Sequence, residues 1–240
     1  MKALKKILTW FILPLCIAGL AYLCVRSVMQ PVQFNKQVAA REAVAIQRLK
    51  DIRTLQNSFK SEFGRYAPSF DSLKWYYNEG KIDVVLQFGS QDDSLADINR
   101  NKYAQRLHLK GPKLEQKLYE LYQDGERVWG KVSHPIAVKD TLCRRDDFCI
   151  DSIAFIPACG DTVLMESTIK TVSGVKVPLF EAKMPYGIKD ENGVIREYLL
   201  KGLDHQLIVN LYFEREDTGR YPGLMVGSIS APNNNAGNWE

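Results

Sequence analysis

The sequence predicts an α+β protein in which an N-terminal transmembrane helix continues into a long amphipathic helix packed on an antiparallel β-sheet domain. Three features predict this class: an uncharged apolar stretch at residues 7–25, a helix-forming stretch at 35–63 with no glycine or proline, and short apolar or alternating segments from residue 128 onward. The predicted organisation is a cytoplasmic stub at 1–6, a transmembrane helix at 7–28, a stalk helix at 29–64, an extracytoplasmic α+β domain at 65–230 and a flexible tail at 231–240. For the tail, docking through Trp239 is the alternative.

The composition excludes two broad classes of protein. Of the 240 residues, 45% are hydrophobic and 25% charged, which excludes a wholly disordered chain. The formal net charge is +4, and residues 1–30 hold four basic residues and no acid, so the rest of the chain has 28 basic and 28 acidic residues. Because nucleic-acid binding depends largely on neutralising phosphates, this neutral remainder argues against a nucleic-acid partner.

The first apolar stretch is long enough to cross a membrane. At about 1.5 Å per residue, residues 7–25 nearly span a hydrocarbon core of about 30 Å. Trp10 and Tyr22 lie towards its two ends, where aromatic rings favour the membrane interface. Three lysines precede the stretch and only Arg26 closely follows it, so the positive-inside rule places the N terminus in the cytoplasm and the bulk of the chain across the membrane.

A cleaved secretory signal is the alternative interpretation of the same stretch. Its basic start and apolar run fit a signal peptide equally well. Cleavage, however, needs small residues at the right spacing, and the best candidates, Ala18, Gly19 and Ala21, lie inside the apolar run. An uncleaved anchor is therefore favoured.

The stalk helix carries one apolar stripe. Val38, Ala45, Ile52 and Phe59 recur every seven positions, and Leu49 follows Ala45 by four. We expect a helix–helix interface at Val38, Ala45, Leu49 and Ile52, and burial of the later half against the globular domain. The opposite face is charged, and a solvated face is its simplest interpretation, with an acidic partner as the alternative. The basic residues of that face are Arg41, Arg48, Lys50, Arg53 and Lys60.

The end of the stalk helix has a distinctive order of residues. It runs through Asp51-Ile52-Arg53-Thr54-Leu55-Gln56, then Phe59-Lys60, then Gly64-Arg65-Tyr66-Ala67-Pro68. Together with the apolar N-terminal span, this order resembles the helix-to-loop passage of type II secretion pseudopilins and type IV pilins. The resemblance covers roughly residues 7–75. The chain lacks that family's Gly-Phe leader site and has no acidic residue before Glu42.

The whole chain, with its Asn-rich end Asn233-Asn234-Asn235-Ala236-Gly237-Asn238-Trp239-Glu240, also resembles uncharacterised single-pass envelope proteins of Gram-negative bacteria. That second resemblance brings no known activity. The pilin-like first third and the predicted anchor imply a non-enzymatic assembly or scaffold component of a secretion or cell-envelope complex, in the inner membrane with its C-terminal domain in the periplasm. The implied partners are the lipid bilayer and other membrane or envelope proteins, which include further copies of the chain. The alternatives are a tethered enzyme or ligand-binding head, and a secreted protein with a cleaved signal.

The extracytoplasmic domain is predicted to be largely antiparallel β in its second half, because turn residues separate short strands at about ten-residue spacing. Pro178 indicates an edge position for its strand. A helix is expected at 113–122, and Asp93-Ser94 is a turn or a helix start. The predicted strands are residues 132–138, 149–157, 162–171, 175–183, 206–214 and 224–229.

Cysteine and histidine supply the remaining candidate chemistry. In an oxidising compartment, Cys143 and Cys149 form a candidate disulfide worth roughly 2–3 kcal/mol, with Cys159 as a competing partner and three reduced thiols as the alternative. A Cys149/His205/Asp204 triad can be written, but no nucleophile motif supports it. No metal-ligand spacing or cofactor motif occurs, so we expect no catalytic residue, metal or cofactor.

Overall fold

A computed structural model of the protein describes residue 10, residues 13–172 and residues 174–240. The predicted stub at 1–6 lies outside the described residues, as do residues 7–9, 11 and 12 of the predicted span. Helices combined with antiparallel sheets, and a long apolar N-terminal helix, confirm the broad fold class. The elements are α1 Leu13–Phe63, α2 Phe70–Glu79, β1 Lys81–Phe88, α3 Ser94–Leu107, α4 Pro112–Gln123, β2 Gly130–Ala137, α5 Val138–Thr141, a 3₁₀ turn Ile150–Ser152, β3 Leu164–Val172, β4 Val175–Pro185, β5 Gly187–Lys189, β6 Ile195–Glu197, α6 His205–Asp217 and β7 Gly223–Gly227.

The described chain forms two compact units. The first unit combines the chain up to Phe70 with Cys149–Glu240. The second unit is Asp71–Phe148, which lies between those two stretches in the sequence. The domain predicted at 65–230 spans the whole second unit and most of the C-terminal part of the first.

The first helix, α1, extends over 51 residues, so the predicted anchor and stalk are one element. Pro31 lies inside it and removes one intrahelical hydrogen bond without ending the helix. The helix ends as predicted at Gly64, whose N–H donates to the carbonyl of Lys60 at 2.8 Å. Gly64 has φ of 69°, a left-handed conformation that glycine adopts without steric cost.

The main sheet of the first unit has the order β3-β4-β7, and both pairings are antiparallel. Residues 181–185 of β4 pair with β7, whereas Pro178 pairs only with Ile169 of β3. Among the described strands, β4 is therefore paired on both sides at residues 181–185 but on one side at Pro178. The predicted edge position of this proline is confirmed at that point of the strand.

The core of the first unit lies between α1 and this sheet. Leu49, Ile52 and Leu55 of α1 are fully buried, and so is Phe180 of β4. The ring of Tyr66, in the loop after α1, packs on Phe180 with 4.7 Å between centroids. Burying a large aliphatic side chain stabilises a fold by about 1.5–3 kcal/mol, so this stripe is a major source of stability.

One buried polar side chain fixes the loop that follows α1. Gln56 is fully buried; its Oε1 accepts from the N–H of Ala67 at 2.8 Å, and its Nε2 donates to the Ala67 carbonyl at 3.1 Å. The amide thus satisfies both main-chain groups of a buried residue, as a neighbouring strand would.

Two predicted strands are wrong. Residues 206–214 form helix α6, not a strand, because the Asp204 carboxylate accepts from the N–H of Leu207 at 3.2 Å and caps the helix. Ile208 and Tyr212, four residues apart, are buried on one face of it. Residues 149–157 form a 3₁₀ turn and irregular chain, with a single bridge from Phe155 to Thr162.

The second unit packs two helices on a two-stranded antiparallel sheet, β1-β2. Its core cluster is Phe88, Leu114, Leu118, Val128 and Val132. The carboxylate of Asp93 caps α3, so of the two alternatives for residues 91–94, a turn or a helix start, the second is correct at Asp93. Helix α4 confirms the helix expected at 113–122. Strand β1 was not predicted.

Replacement of Gln56 by leucine is expected to destabilise the first unit markedly. Both main-chain groups of Ala67 would lose their partner inside the core, at about 1–3 kcal/mol for each buried unsatisfied group. Denaturant unfolding of the full chain in detergent measures this loss. The matched control is Gln123→Leu at the exposed end of α4; equal stability of the two variants would contradict the structural role of Gln56.

Candidate interaction site on the first helix

The surface of α1 changes sharply along its length. Every side chain from residue 14 to residue 33 is exposed, and Arg26 is the only charged one. Leu15 is 72% exposed and Val32 is 55% exposed, whereas Phe34 is only 7% exposed and begins the buried stripe. We call residues 14–33 the apolar segment. At about 1.5 Å per residue it is about 30 Å long, and its part up to residue 28 lies in the predicted span.

Within the described part of the chain, one helix is long and apolar enough to cross a membrane, and it is the helix Pro14–Phe63 near the N terminus. Its most apolar window is not buried by any other described part of the protein. This assignment rests on length and composition, and it agrees with the coarse prediction of one apolar helix that could anchor the chain.

Polar contacts join the C-terminal part of the first unit to α1 near the C-terminal end of the apolar segment. Gln30 Nε2 donates to Asp204 Oδ2 at 2.8 Å. Further along the helix, Arg41 Nη1 donates to the carbonyls of Leu199 and Lys201 at 3.2 and 2.8 Å. The loop before α6 is therefore fastened to α1 next to the apolar segment.

A tyrosine–carboxylate pair makes the next contact. The hydroxyl of Tyr186, a fully buried residue, donates to Glu42 Oε1. Burial raises the pKa of Tyr186 strongly, and the hydrogen bond to Glu42 raises it further because an ionised phenol would face a carboxylate. The guanidinium of Arg215 lies 5.8 Å from the centre of the tyrosine ring.

The basic face of α1 was predicted to be solvated, but most of its arginines form hydrogen bonds inside the first unit. Arg48 donates to the carbonyl and the hydroxyl of Ser152. Arg53 Nη1 donates to the Asn235 carbonyl at 3.2 Å and to Glu240 Oε1 at 2.7 Å. With Arg41 also bound to carbonyls, these three arginines hold loops and the C terminus against α1, and an acidic partner is not needed to explain them.

The residues predicted as a helix–helix interface are covered by the chain itself. Ala45, Leu49 and Ile52 are 0% exposed, and Val38 is 7% exposed. Their periodicity correctly indicated burial, but the first unit provides the cover. A partner helix would have to contact other parts of α1, and the largest such surface is the apolar segment.

Cys16, Cys24, Cys149 and Cys159 are free thiols in the structure. Cys16 and Cys24 are exposed on the apolar segment, and Cys149 is exposed beside the 3₁₀ turn. Main-chain N–H groups of Ser152 and Asp151 hydrogen-bond the Cys149 sulfur and lower its pKa. The disulfide between Cys143 and Cys149 stays a prediction.

The hypothetical triad is not assembled. The Asp204 carboxylate is engaged by Gln30 and by the N–H of Leu207. The ring of His205 faces Glu197, with Nδ1 and Oε1 3.1 Å apart. Asp204 therefore does not orient His205, and within the described residues no group of three or more His, Cys, Asp or Glu side chains could hold a metal ion.

The first unit also has open depressions on its surface. One of about 410 Å³ is bordered by β3 and β4, and the charges of Glu181 and Lys183 on its wall pair with each other. Its remaining lining residues are Val163, Leu164, Met165 and Glu166. A paired charge on an open wall does not make a catalytic constellation.

Comparisons with known proteins assign no family. No protein-family model matches this chain, and searches of curated proteins and of solved structures found no significant match.

The pair of Tyr186 and Glu42 predicts a loss of stability in alkaline solution. A tyrosine in the unfolded chain ionises near a pH of about 10. Since folding raises the pKa of Tyr186, its contribution is complete below that pH and is lost progressively above it. We expect Tyr186→Phe to lower stability by about 1–3 kcal/mol at neutral pH, where Glu42 loses its donor, and to flatten the alkaline decline.

Denaturant unfolding between neutral pH and a pH of about 11 measures both effects. Tyr122→Phe, on the exposed face of α4, is the matched control and should keep the wild-type profile. An alkaline profile of Tyr186→Phe identical to wild type would contradict this account of the pair.

Proposed function

We propose that the protein is a membrane-anchored, non-enzymatic assembly or scaffold component of a secretion or cell-envelope complex, pseudopilin-like in its first third. In this proposal residues 7–28 span the bacterial inner membrane and the folded units stand in the periplasm. One observation carries the proposal: a single uninterrupted helix is an exposed apolar rod at one end and the central core element of the first unit at the other.

The exposed end of this helix requires a cover. Leaving one large aliphatic side chain in water instead of burying it costs about 1.5–3 kcal/mol. The apolar segment exposes several such side chains, and a helix satisfies its own main-chain hydrogen bonds, which is the condition for crossing a bilayer. These residues include Leu15, Ile17, Leu20, Leu23, Val25 and Val28.

The same geometry supports an assembly role over a simple tether. Helical continuity of α1 from the apolar segment to Phe63 links any contact made in the membrane to the first unit. Apart from its chain neighbours and the nearby backbone of α1 itself, no described atom lies within 4 Å of the place where a Cβ on Gly19 would be. A neighbouring helix can therefore approach its backbone closely, as small residues allow in membranes.

Anchoring is tested by charges placed in the apolar segment. The double variant Ile17→Arg, Leu20→Arg should release the protein from membranes on carbonate extraction, because each central arginine costs about 2.5–3.5 kcal/mol. The matched control is Val44→Arg, an equally apolar and 56% exposed position of α1 beyond the predicted span, which should stay membrane-bound. Extraction of the wild-type chain by carbonate would refute the anchor.

The assembly role is tested by photocrosslinking in intact membranes. A photoreactive phenylalanine analogue at Leu20 or Val28 should yield adducts to other proteins, since these side chains are exposed. The analogue at Trp75, exposed in the second unit, serves as the control for random encounters. Reaction with lipid alone at both anchor positions would contradict assembly and favour a mere tether.

A further inference from the structure

The last residues of the chain lie along one edge of the main sheet. Val226 of β7 forms an antiparallel bridge with Gly237. The N–H of Gly227 donates to the Ala236 carbonyl at 3.1 Å, and the N–H of Asn238 donates to the Met225 carbonyl at 3.0 Å. We call residues 236–240 the C-terminal cap. It occupies the position of a fourth strand on the free side of β7.

The side chain of Asn238 extends this pairing. Its Oδ1 accepts from the N–H of Met225 at 3.0 Å, and its Nδ2 donates to the carbonyl of Gly223 at 2.8 Å. Four main-chain groups on the outer side of β7 are thus satisfied by the cap: the carbonyl of Gly223, both groups of Met225 and the N–H of Gly227. An edge strand without such partners is a template for pairing with another chain.

The cap is fastened by few contacts, most of them exposed to solvent. Glu240 pairs with Arg53, and its side chain is 42% exposed, which makes the ion pair weak and sensitive to salt. The indole of Trp239 covers Gly237, but its buried N–H has no acceptor within the described structure. That unsatisfied donor disfavours the docked state. Displacement of the cap therefore requires breaking a small number of polar contacts.

The opposite edge of the same sheet is open along a longer strand. Over the described residues β3 pairs with β4 alone. Three of its large apolar side chains are exposed, with Ile169 at 56%. The other two are Leu164 and Val172. An unpaired edge along a nine-residue strand with exposed apolar side chains favours strand addition.

Strand direction decides how two such edges can meet. β3 and β7 run in the same direction, because each is antiparallel to β4. Copies anchored through α1 in one bilayer stand in the same orientation. Side by side, they would present β7 of one copy to β3 of the next in a parallel pairing. This contact joins two different surfaces, so it continues from copy to copy and does not stop at a dimer.

We propose that the C-terminal cap controls this contact: while docked it keeps β7 closed, and on its displacement β7 accepts β3 of a second copy in the same membrane. The proposal rests on the anchoring part of the proposed function. It adds to that function a head-to-tail contact between the first units, separate from any contact made by the apolar segment.

The test uses the full chain in liposomes with its native cysteines replaced by serine. Cysteines are introduced by Ile169→Cys in β3 and Met225→Cys in β7, and a short bismaleimide reports whether these strands meet. Deletion of residues 236–240 should increase crosslinking several-fold and give a ladder of products larger than dimers. Each single-cysteine variant should give no ladder. No increase on deletion, or dimers from Met225→Cys alone, would overturn the proposal.

A milder variant covers the case in which the deletion impairs folding. Asn238→Ala removes two hydrogen bonds from β7 and keeps the chain length. It should speed deuterium exchange in the peptide containing Met225 and raise crosslinking. The matched control, Asn234→Gly in the same Asn-rich stretch, should change neither. Faster exchange without added crosslinking would refute the proposal, and carbonate extraction of the same liposomes shows independently whether the anchoring has failed.

Discussion

The structure depends on the continuity of α1. Apart from the one bond that Pro31 removes, its main-chain hydrogen bonds are satisfied within the helix, so the same backbone can lie in lipid at one end and in a protein core at the other. Over the described residues, α1 is the long element that packs against β4 and β7. The buried stripe that includes Leu49, Ile52 and Leu55 therefore holds the first unit together and also joins it to the apolar segment.

Polar contacts fix the sheet and loops relative to this helix, where apolar burial alone would not. Hydrophobic attraction is non-directional, so a stripe can tolerate a small rotation or slide. The contacts of Arg41 with two carbonyls, Glu42 with Tyr186, and Gln56 with Ala67 each need a particular register. Leaving one of these groups unpaired costs more than the bond contributes, which makes the set selective for one arrangement.

Local signals in the sequence predicted local structure well. Gly64 and Asp93 marked helix ends correctly because a cap acts within a few residues. The prediction of a strand at 206–214 was wrong. The β-branched and aromatic residues there favour a sheet. The cap at Asp204 and the four-residue spacing of the buried side chains favour a helix, which is what forms. β1 shows period-two alternation from Ile82 to Phe88, but its pairing with β2 is a distant contact that no local signal specifies.

The candidate site was also predictable only in part, because local patterns in the sequence do not specify distant contacts. Composition identified the uncharged apolar run at residues 7–25, whose later part begins the apolar segment, since a run of this length is typical of a helix that spans a membrane. The periodic stripe of α1 showed that its side chains are covered, but periodicity cannot say whether a partner or the chain itself covers them. The Asn-rich end predicted a flexible tail or one docked through Trp239, and its pairing with β7 was not predicted, because Asn238 acts through its amide as a main-chain mimic. In the proposed anchored state the strands of the first unit have a fixed direction relative to the membrane, so the sheet edge that stays closed would determine which contacts between copies are available.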